Sequence, residues 1–238
     1  MISLKGKTAI ITGGGRGLGK AVALKLANEG VHIGIIGRNE EKLQLTVEEL
    51  KKTGVQAAYT VASVNQETEV KSAIDSLVKE LGGVDILINN AGIGWFGKLE
   101  EMNASDWEQV FRTNLLGVYY SAMAVHPYLK EKGAGDIVNI ASTAGLKGGA
   151  GMSAYAASKA AVISLSQSMM AEWRKENIRV FTLTPSTIAS DMSIEGGLTD
   201  GNPEKVLQPE DFAEWVTDML KMNRRALIAS GSIFSTNP

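Results

Sequence analysis

The chain contains no cysteine and only two histidines among its 238 residues. Without cysteine it can form no disulfide, has no thiolate nucleophile and offers no sulfur ligand for zinc. His32 and His126 are far apart in the sequence and do not form the closely spaced pair that metal sites often use. We therefore expect no metal centre.

A large charge excess and long apolar runs are also missing. The 24 Lys and Arg residues nearly balance the 26 Asp and Glu residues, which argues against a general nucleic-acid or membrane-surface binder. No apolar run approaches the roughly 18 residues that a membrane-spanning helix needs. The first run is interrupted by glycines before it reaches the length of a signal-peptide core. These features predict a soluble, cytoplasmic protein without a nucleic-acid or membrane partner.

Short apolar runs alternate with longer amphipathic segments along the whole chain. The segments Glu40–Lys52 and Gln66–Leu81 have the apolar periodicity of helices. This alternation predicts an α/β fold: one domain over residues 1–238, with a Rossmann-type doubly wound parallel sheet of about seven strands and helices on both faces. The stretch 185–209, rich in Gly, Ser, Thr and Pro, is predicted to be an irregular substrate lid. The runs of strand length are Thr8–Ile11, Val31–Ile36, Val55–Val61, Val84–Ile88, Asp136–Ile140, Ile178–Leu183 and Ala226–Ala229.

A glycine-rich turn follows the first predicted strand. After Thr12, the residues Gly13, Gly17 and Gly19 follow the spacing G-x-x-x-G-x-G and precede the predicted helix Lys20–Asn28. Glycine permits positive φ and a close approach of the backbone to a ligand, and the free N–H groups at a helix start favour phosphate. The alternative is a flexible turn or simple helix packing. We favour a dinucleotide site because the turn lies between a strand and a helix.

The end of the second predicted strand indicates which dinucleotide is bound. An acidic residue there would bind the ribose 2′-hydroxyl of NAD, whereas arginine suits the 2′-phosphate of NADP. The strand ends in Gly37-Arg38-Asn39 with no acid before Glu40, and Arg16 in the glycine turn offers a second guanidinium. Arg38 alone could equally be a solvated residue at a helix start. The two arginines together favour NADP(H).

Tyr155 and Lys159 are four positions apart within Ser153–Lys175, a segment with helical periodicity. They therefore project from the same face of a helix, one turn apart. A phenol with a pKa of about 10 is a poor acid–base catalyst at neutral pH. A nearby ammonium group can lower that pKa, and a shift of about three units requires roughly 4 kcal/mol. Because this spacing is common on helix faces, its interpretation depends on the rest of the sequence.

Several motifs occur together in one order along the chain: Thr12–Gly19, Asn89-Asn90-Ala91-Gly92, Asn114, Ser142 and Tyr155-Ala156-Ala157-Ser158-Lys159. In this combination, which spans essentially the whole chain, the sequence resembles the short-chain dehydrogenase/reductase family, and most closely its 3-oxoacyl-(acyl carrier protein) reductases. The resemblance implies that Tyr155 donates a proton to a carbonyl oxygen. It implies that Lys159 binds the nicotinamide ribose and lowers the pKa of Tyr155. Ser142 would hold the substrate oxygen, and Asn114 would keep a water molecule that links Lys159 to solvent.

The resemblance also implies a cofactor site around these motifs, in which Asn90–Gly92 braces the glycine turn through Thr12. Two departures from the family pattern are present. Ser63 stands where the family usually has an acid beside the adenine, and Pro185-Ser186 with Ser190 replaces Pro-Gly and a later threonine on the carboxamide side. The predicted cofactor residues are Thr12, Gly13, Gly15, Arg16, Gly17, Leu18, Gly19, Arg38, Ser63, Val64, Asn90, Ala91, Gly92, Tyr155, Lys159, Pro185, Ile188 and Ser190.

These features predict an NADPH-dependent oxidoreductase that reduces a ketone or a 3-oxoacyl thioester to the secondary alcohol. The same residues could instead oxidise a small alcohol, polyol or sugar. A dinucleotide-binding sensor without catalysis is a third hypothesis, which the complete catalytic set argues against. The resemblance further implies a homotetramer or homodimer. Trp95 and Phe96 follow the Asn-Asn-Ala-Gly turn and are candidates for contact with the substrate.

Overall fold

The structure is a computed structural model that describes residues 1–236, and its centre is a seven-stranded sheet. Neighbouring strands are all parallel and follow the order β3-β2-β1-β4-β5-β6-β7. The predicted Rossmann-type doubly wound sheet is confirmed. The strands are β1 (Thr8–Thr12), β2 (His32–Gly37), β3 (Ala57–Val61), β4 (Ile86–Asn89), β5 (Gly135–Ile140), β6 (Ile178–Pro185) and β7 (Ser230–Ile233).

Helices cover both faces of the sheet. The first face packs against α1, α2 and α8, with Val22 and Val216 in one buried cluster. The second packs against α3, α5 and α6, with Ile74 and Val125 in another. A π-helical turn, Arg112–Leu116, joins α4 to α5. None of the helices among residues 1–236 is both long enough and apolar enough to cross a membrane. The helices are α1 (Gly17–Asn28), α2 (Glu40–Lys51), α3 (Glu67–Leu81), α4 (Ala104–Phe111), α5 (Gly117–Lys132), α6 (Ser153–Trp173), α7 (Asp191–Glu195) and α8 (Pro209–Leu220).

The chain changes direction across the sheet between β1 and β4, which lie side by side. From β1 it runs outward through β2 to β3, and from β4 it runs the other way through β5 and β6 to β7. In open α/β sheets, ligands bind in the crevice beyond the carboxyl ends of the strands at such a point. Thr12, Asn89 and Ile140 end β1, β4 and β5, so the motifs that follow them border this crevice.

The predicted strand at Ala226–Ala229 is wrong, because the seventh strand is Ser230–Ile233, paired with β6. Within the predicted run, the Ala226 carbonyl accepts a hydrogen bond from Arg179 at 3.4 Å, whereas the Ala229 carbonyl, next to β7, accepts one from the Thr182 N–H of β6 at 3.0 Å. β7 is also a partly exposed edge strand composed of Ser, Gly, Ser and Ile. It therefore contains no continuous apolar run that would identify it from sequence.

The stretch 185–209 contains more regular structure than predicted, because α7 lies within it. Ser190 caps this helix by accepting a hydrogen bond from the Ser193 N–H at 3.3 Å, and Ser193 Oγ accepts one from the Ser190 N–H at 2.9 Å. The Ser193 hydroxyl also donates to the carbonyl of Ile188 at 2.6 Å. This reciprocal capping box satisfies N–H groups at the helix start. It sustains a short helix where composition indicated only loop.

Candidate active site

A continuous cavity of about 910 Å³ runs along the carboxyl ends of the strands. Arg38 follows β2, the glycine turn follows β1 and Ser142 follows β5, so the strand order puts Arg38 and Ser142 on opposite sides of the glycine turn in this cavity. A cavity of this size is typical of ligand sites in proteins. Every cofactor residue predicted from the sequence lines it except Thr12 and Gly19. Those two support the glycine turn from behind.

The glycines of the turn are required for different reasons. Gly13 and Gly17 have φ of +70° and +49°, in the left-handed region that residues with a Cβ rarely adopt. Gly19 is required by packing, since a Cβ there would lie 2.4 Å from Asn90 Nδ2 and from the Gly13 carbonyl oxygen. A Cβ on Gly17 would meet no atom within 4 Å. The space in front of Gly17 is therefore open to a ligand.

Thr12 and Asn90 tie the end of β1 to the end of β4. Thr12 Oγ1 accepts hydrogen bonds from the backbone N–H groups of Asn90 and Ala91, both at 3.1 Å. The Asn90 side chain donates in return to the carbonyls of Thr12 at 3.0 Å and Gly13 at 3.1 Å. These bonds form the brace expected from the sequence, and they fix the glycine turn relative to the sheet.

Three cationic side chains, those of Arg16, Arg38 and Lys42, line the cavity around the glycine turn and the end of β2. Arg38 is exposed, whereas Arg16 Nη1 lies 2.9 Å from Asp191 Oδ2 at the start of α7. Lys42 was not predicted. It lies in the first turn of α2, where its N–H donates to the N-cap Asn39 at 2.9 Å, and no sequence signal marks that position as facing the cavity. Positive charge concentrated in this way suits an anionic group such as a phosphate.

Both departures from the family pattern line the cavity. At the end of β3, Ser63 Oγ donates to Asn65 Oδ1 at 2.9 Å, and the Ser63 N–H donates to the Glu69 carboxylate at 2.8 Å. On the opposite side, Ser190 Oγ accepts from the Ser193 N–H and caps α7. The contact of Ser190 with a carboxamide stays a prediction, because its hydroxyl already has this structural role.

Ser142, Tyr155 and Lys159 converge at the other end of the cavity. Ser142 lies just beyond β5, and Tyr155 and Lys159 project from the start of α6. The Lys159 ammonium lies 5.7 Å from the centre of the Tyr155 ring and donates to the carbonyl of Ile140 at 2.8 Å. Ser142 Oγ accepts a hydrogen bond from the Ala144 N–H at 3.1 Å, and the Ser142 side chain is near enough to Tyr155 to influence the pKa of its hydroxyl. The structure thus brings the three predicted side chains together.

Burial controls the protonation of this group. It raises the pKa of the Tyr155 hydroxyl, although the residue as a whole is only partly buried, and the neighbouring Ser142 side chain acts on this pKa in the opposite direction. Burial lowers the pKa of Lys159 to about 8. The expected lowering of the Tyr155 pKa by Lys159 stays a prediction, since burial is the larger influence on this pKa and raises it. The phenol is therefore protonated at neutral pH and can act as an acid.

Asn114 supports the site from behind. It is completely buried in the π-helical turn, a form that often marks functional sites. Its Oδ1 accepts from the Ile93 N–H at 2.8 Å, and its Nδ2 donates to the Ile93 carbonyl and to Ser158 Oγ, both at 3.0 Å. Ser158 in turn donates to the Tyr155 carbonyl at 2.7 Å. The side chain thus links the loop after β4 to α6, and its expected hold on a water molecule stays a prediction.

Comparison with known proteins identifies the family. A sequence model described as short chain dehydrogenase matches residues 7–199. This chain belongs to the short-chain dehydrogenase family. It is 35% identical over 225 residues to the 3-oxoacyl-[acyl-carrier-protein] reductase FabG of Staphylococcus aureus, an alignment that covers 94% of this chain and 91% of that protein. The resemblance expected from the motifs is confirmed, and the protein is an oxidoreductase.

Solved structures of related enzymes share the whole fold. A short chain dehydrogenase from Burkholderia cenocepacia J2315, in complex with NADP, is 29% identical with a TM-score of 0.90 and covers 99% of this chain and 98% of its own. An NAD⁺-bound xylitol dehydrogenase is 27% identical with a TM-score of 0.88, covering 97% and 98%. Because both cofactors occur on this fold, the choice between them depends on this chain's own residues.

The catalytic end of the cavity in this short-chain dehydrogenase also has an apolar lining that the sequence only partly predicts. Phe96 was expected near the substrate, but its neighbour Trp95 is not on the wall, because its ring packs against Gly97. The remaining apolar side chains of this lining belong to the residue before α6 and to the stretch 185–209. No periodicity in that stretch indicates which side chains face the cavity. The apolar wall comprises Phe96, Met152, Met192 and Leu198.

Proposed function

We propose that this enzyme reduces a ketone or a 3-oxoacyl thioester to the secondary alcohol with NADPH. The observation that carries the proposal is the position of Tyr155, which lines one cavity with Ser142 and the glycine turn and whose ring centre lies 5.7 Å from the Lys159 ammonium. Carbonyl reduction consumes a proton, so a protonated acid is the form that a reductase needs. The identity with a 3-oxoacyl-[acyl-carrier-protein] reductase supports an acyl substrate.

When bound, NADPH would supply the hydride for the carbonyl carbon. The hydroxyl groups of Ser142 and Tyr155 bind the carbonyl oxygen and thereby orient the carbon. As negative charge develops on that oxygen, Tyr155 transfers its proton to it, and the product is a neutral alcohol. The nearby Lys159 ammonium stabilises the phenolate that results and also holds the ribose hydroxyls. The phenolate regains a proton from solvent through Lys159 and the water assigned to Asn114.

The preference for NADPH rests on charge. Arg16, Arg38 and Lys42 line the cavity, and each guanidinium can bind a phosphate in a bidentate manner. The first acid after β2 is Glu40, which accepts a hydrogen bond from the Tyr59 hydroxyl at 3.3 Å. The NADP-bound relative at 29% identity is consistent with this preference.

The glycine turn fits a pyrophosphate group. The space in front of Gly17 contains no other atom within 4 Å of a Cβ position, so the backbone can approach a ligand closely. α1 begins at Gly17, and the preceding N-cap Arg16 makes no side-chain capping bond. The N–H groups of the first turn are therefore available to an anion. We place the stretch 185–209 over the bound cofactor and substrate as a lid on a single domain formed by residues 1–238.

Oxidation of a small alcohol or polyol is the second candidate. It is favoured by the similarity to xylitol dehydrogenase at 27% identity, and the same side chains serve both directions. The identity with the 3-oxoacyl-[acyl-carrier-protein] reductase is higher, at 35%. Reduction therefore ranks first.

The test is NADPH consumption with a panel of ketones, sugars and 3-oxoacyl thioesters, with Tyr155→Phe as the matched variant. We expect turnover of at least one carbonyl class by the wild type. Tyr155→Phe should bind NADPH with unchanged affinity by fluorescence titration and lose nearly all turnover. Near-native turnover by this variant, or turnover only with alcohols and NADP⁺, would overturn the proposal.

We also propose a homotetramer, or a homodimer, assembled through α4, α5, α6 and the last strand. The side chains of Tyr119 and Met123 on α5 are 41% and 45% exposed, and Phe234 beside β7 is 60% exposed. Exposed apolar groups that form a patch often mark protein contacts. Light scattering measures the assembly against the 25.3 kDa chain mass, and a stable monomer would contradict it. The cytoplasmic location stays a prediction.

A further inference from the structure

Phe96 is positioned beside the catalytic tyrosine. Its ring centre lies 5.8 Å from that of Tyr155, with 52° between the ring planes. The other apolar side chains at this end are Met152, Met192 and Leu198, which line the same cavity. A substrate whose carbonyl oxygen is held by Tyr155 must therefore place its remaining atoms against this wall.

The aromatic part of the wall packs against two glycines from different segments. A Cβ on Gly94 would lie 2.7 Å from the Phe96 ring and 3.3 Å from Met192 Sδ, and a Cβ on Gly196 would also lie 2.7 Å from the ring. The ring is thus held by the loop after β4 and by the end of α7. The glycines leave room for the ring at this position, so the apolar surface is present before a substrate binds.

Hydroxyl groups such as those of Ser142, Thr143 and Thr187 line the cavity, but few acidic or amide side chains are available there to bind a sugar. Among the described residues lining the cavity, the acidic and amide side chains are Asn39, Asn90 and Asp191. Asn39 caps α2, Asn90 donates to Thr12 and Gly13, and Asp191 is paired with Arg16. A buried substrate hydroxyl without a hydrogen-bond partner is strongly disfavoured, whereas each buried methylene group adds favourable free energy.

We propose that this site selects carbonyl compounds that carry an apolar chain or ring next to the carbonyl, rather than ketoses or polyols, and that Phe96 determines this specificity. The inference rests on the proposed function and narrows its substrate class. Leu198, which is 43% exposed, lies where the wall reaches solvent. A chain longer than the wall can extend past it, so substrate length is not sharply limited.

The kinetic test compares methyl ketones of increasing chain length with a ketopentose at saturating NADPH. We expect kcat/KM to rise about fourfold for each added methylene group until the chain passes the wall, and the ketopentose to be poorer by roughly 100-fold or more. Phe96→Ala should flatten the rise with chain length, whereas Phe96→Leu should restore most of it. Trp95→Leu, which alters the neighbouring ring outside the wall, should keep the wild-type increase of kcat/KM with chain length.

A binding experiment separates this inference from the proposed function. Calorimetry measures the affinity of the NADPH complex for aliphatic amides with the same chain lengths as the ketones, because amides present a carbonyl without accepting hydride. The same increase with chain length, and its loss in Phe96→Ala, would support the apolar site even if no ketone were reduced. Ketone turnover without any dependence on chain length, or a ketopentose turned over as well as the best ketone, would overturn the inference. If a cooperatively melting Phe96→Ala protein showed the wild-type increase of kcat/KM with chain length, the role of Phe96 would be overturned.

Discussion

The Arg16 guanidinium and the Asp191 carboxylate are 2.9 Å apart, joining the glycine turn to the start of α7. Both residues line the cavity. Their side chains are 58% and 56% exposed, so the pair is worth only about 0–1 kcal/mol. Arg16 is one of the two arginines assigned to the 2′-phosphate of NADPH. Asp191 therefore competes with the cofactor for this guanidinium.

Asp191→Asn should bind NADPH more tightly because it releases Arg16. The weak ion pair limits the gain to about twofold to fivefold in Kd, and NADH affinity should not change. Fluorescence titration with both cofactors measures this difference. Glu195→Gln, at the exposed end of the same helix, is the matched control and should leave both affinities unchanged. Weaker NADPH binding by Asp191→Asn would show that Asp191 orients Arg16 instead of competing for it.

Arg38→Ala should weaken NADPH far more than NADH. A hydrogen-bonded guanidinium–phosphate contact is worth about 1.5–3 kcal/mol, so we expect a loss of roughly 10- to 100-fold in NADPH affinity. Lys42→Ala should show a smaller loss in the same direction, because an ammonium binds phosphate as a point charge. Calorimetric titration gives both constants. An equal loss of NADH and NADPH affinity would contradict the assignment of this end to the 2′-phosphate.

The fold was predictable because the buried strands are continuous apolar runs. Ile33, Ile35 and Ile36 in β2 are completely buried by helices on both faces, and a strand in that position has few polar residues. β7 lies at the edge and is partly exposed, so its sequence lacks this signal. The helix α7 was missed because Ser190 and Ser193 stabilise it through side-chain hydrogen bonds, which the composition of a loop does not reveal.

The site was predictable where its residues are close in sequence. The glycine turn and the pair Tyr155 and Lys159 each follow from local spacing and helix geometry. The ion pair of Arg16 and Asp191 joins positions 175 residues apart, and the apolar wall combines three segments of the chain. Contacts of that kind depend on how the elements pack. The direction in which the Tyr155 pKa shifts also depends on burial, which the spacing of residues alone does not reveal.

Gly19→Ala should destabilise the protein and weaken cofactor binding. The added Cβ would lie 2.4 Å from two groups that form the brace, Asn90 Nδ2 and the Gly13 carbonyl. Overpacking of this kind costs about 1–3 kcal/mol, which urea unfolding measures, and displacement of the turn should reduce NADPH affinity in parallel. Gly148→Ala is the control, since its Cβ would meet no atom within 4 Å. A Gly19→Ala protein with wild-type stability and affinity would contradict the close packing.

Lys159→Met should stabilise the protein at neutral pH while abolishing turnover. Burial lowers the pKa of Lys159 from 10.5 to about 8. Below pH 8 the lysine is therefore protonated in both the native and the unfolded chain. The native state then contains a buried positive charge, which costs free energy. That cost is roughly 3 kcal/mol, and the lost hydrogen bond to Ile140 offsets about 1 kcal/mol of the gain. Between about pH 8 and 10.5 the unfolded chain binds the additional proton, so this group makes wild-type stability rise with pH.

The variant should therefore exceed the wild type by about 2 kcal/mol in unfolding free energy at pH 7, and the gap should close toward pH 10.5. Urea unfolding across this pH range, with the exposed Lys147→Met as control, measures the gap; a difference that does not vary with pH would mean that Lys159 is not a buried charge.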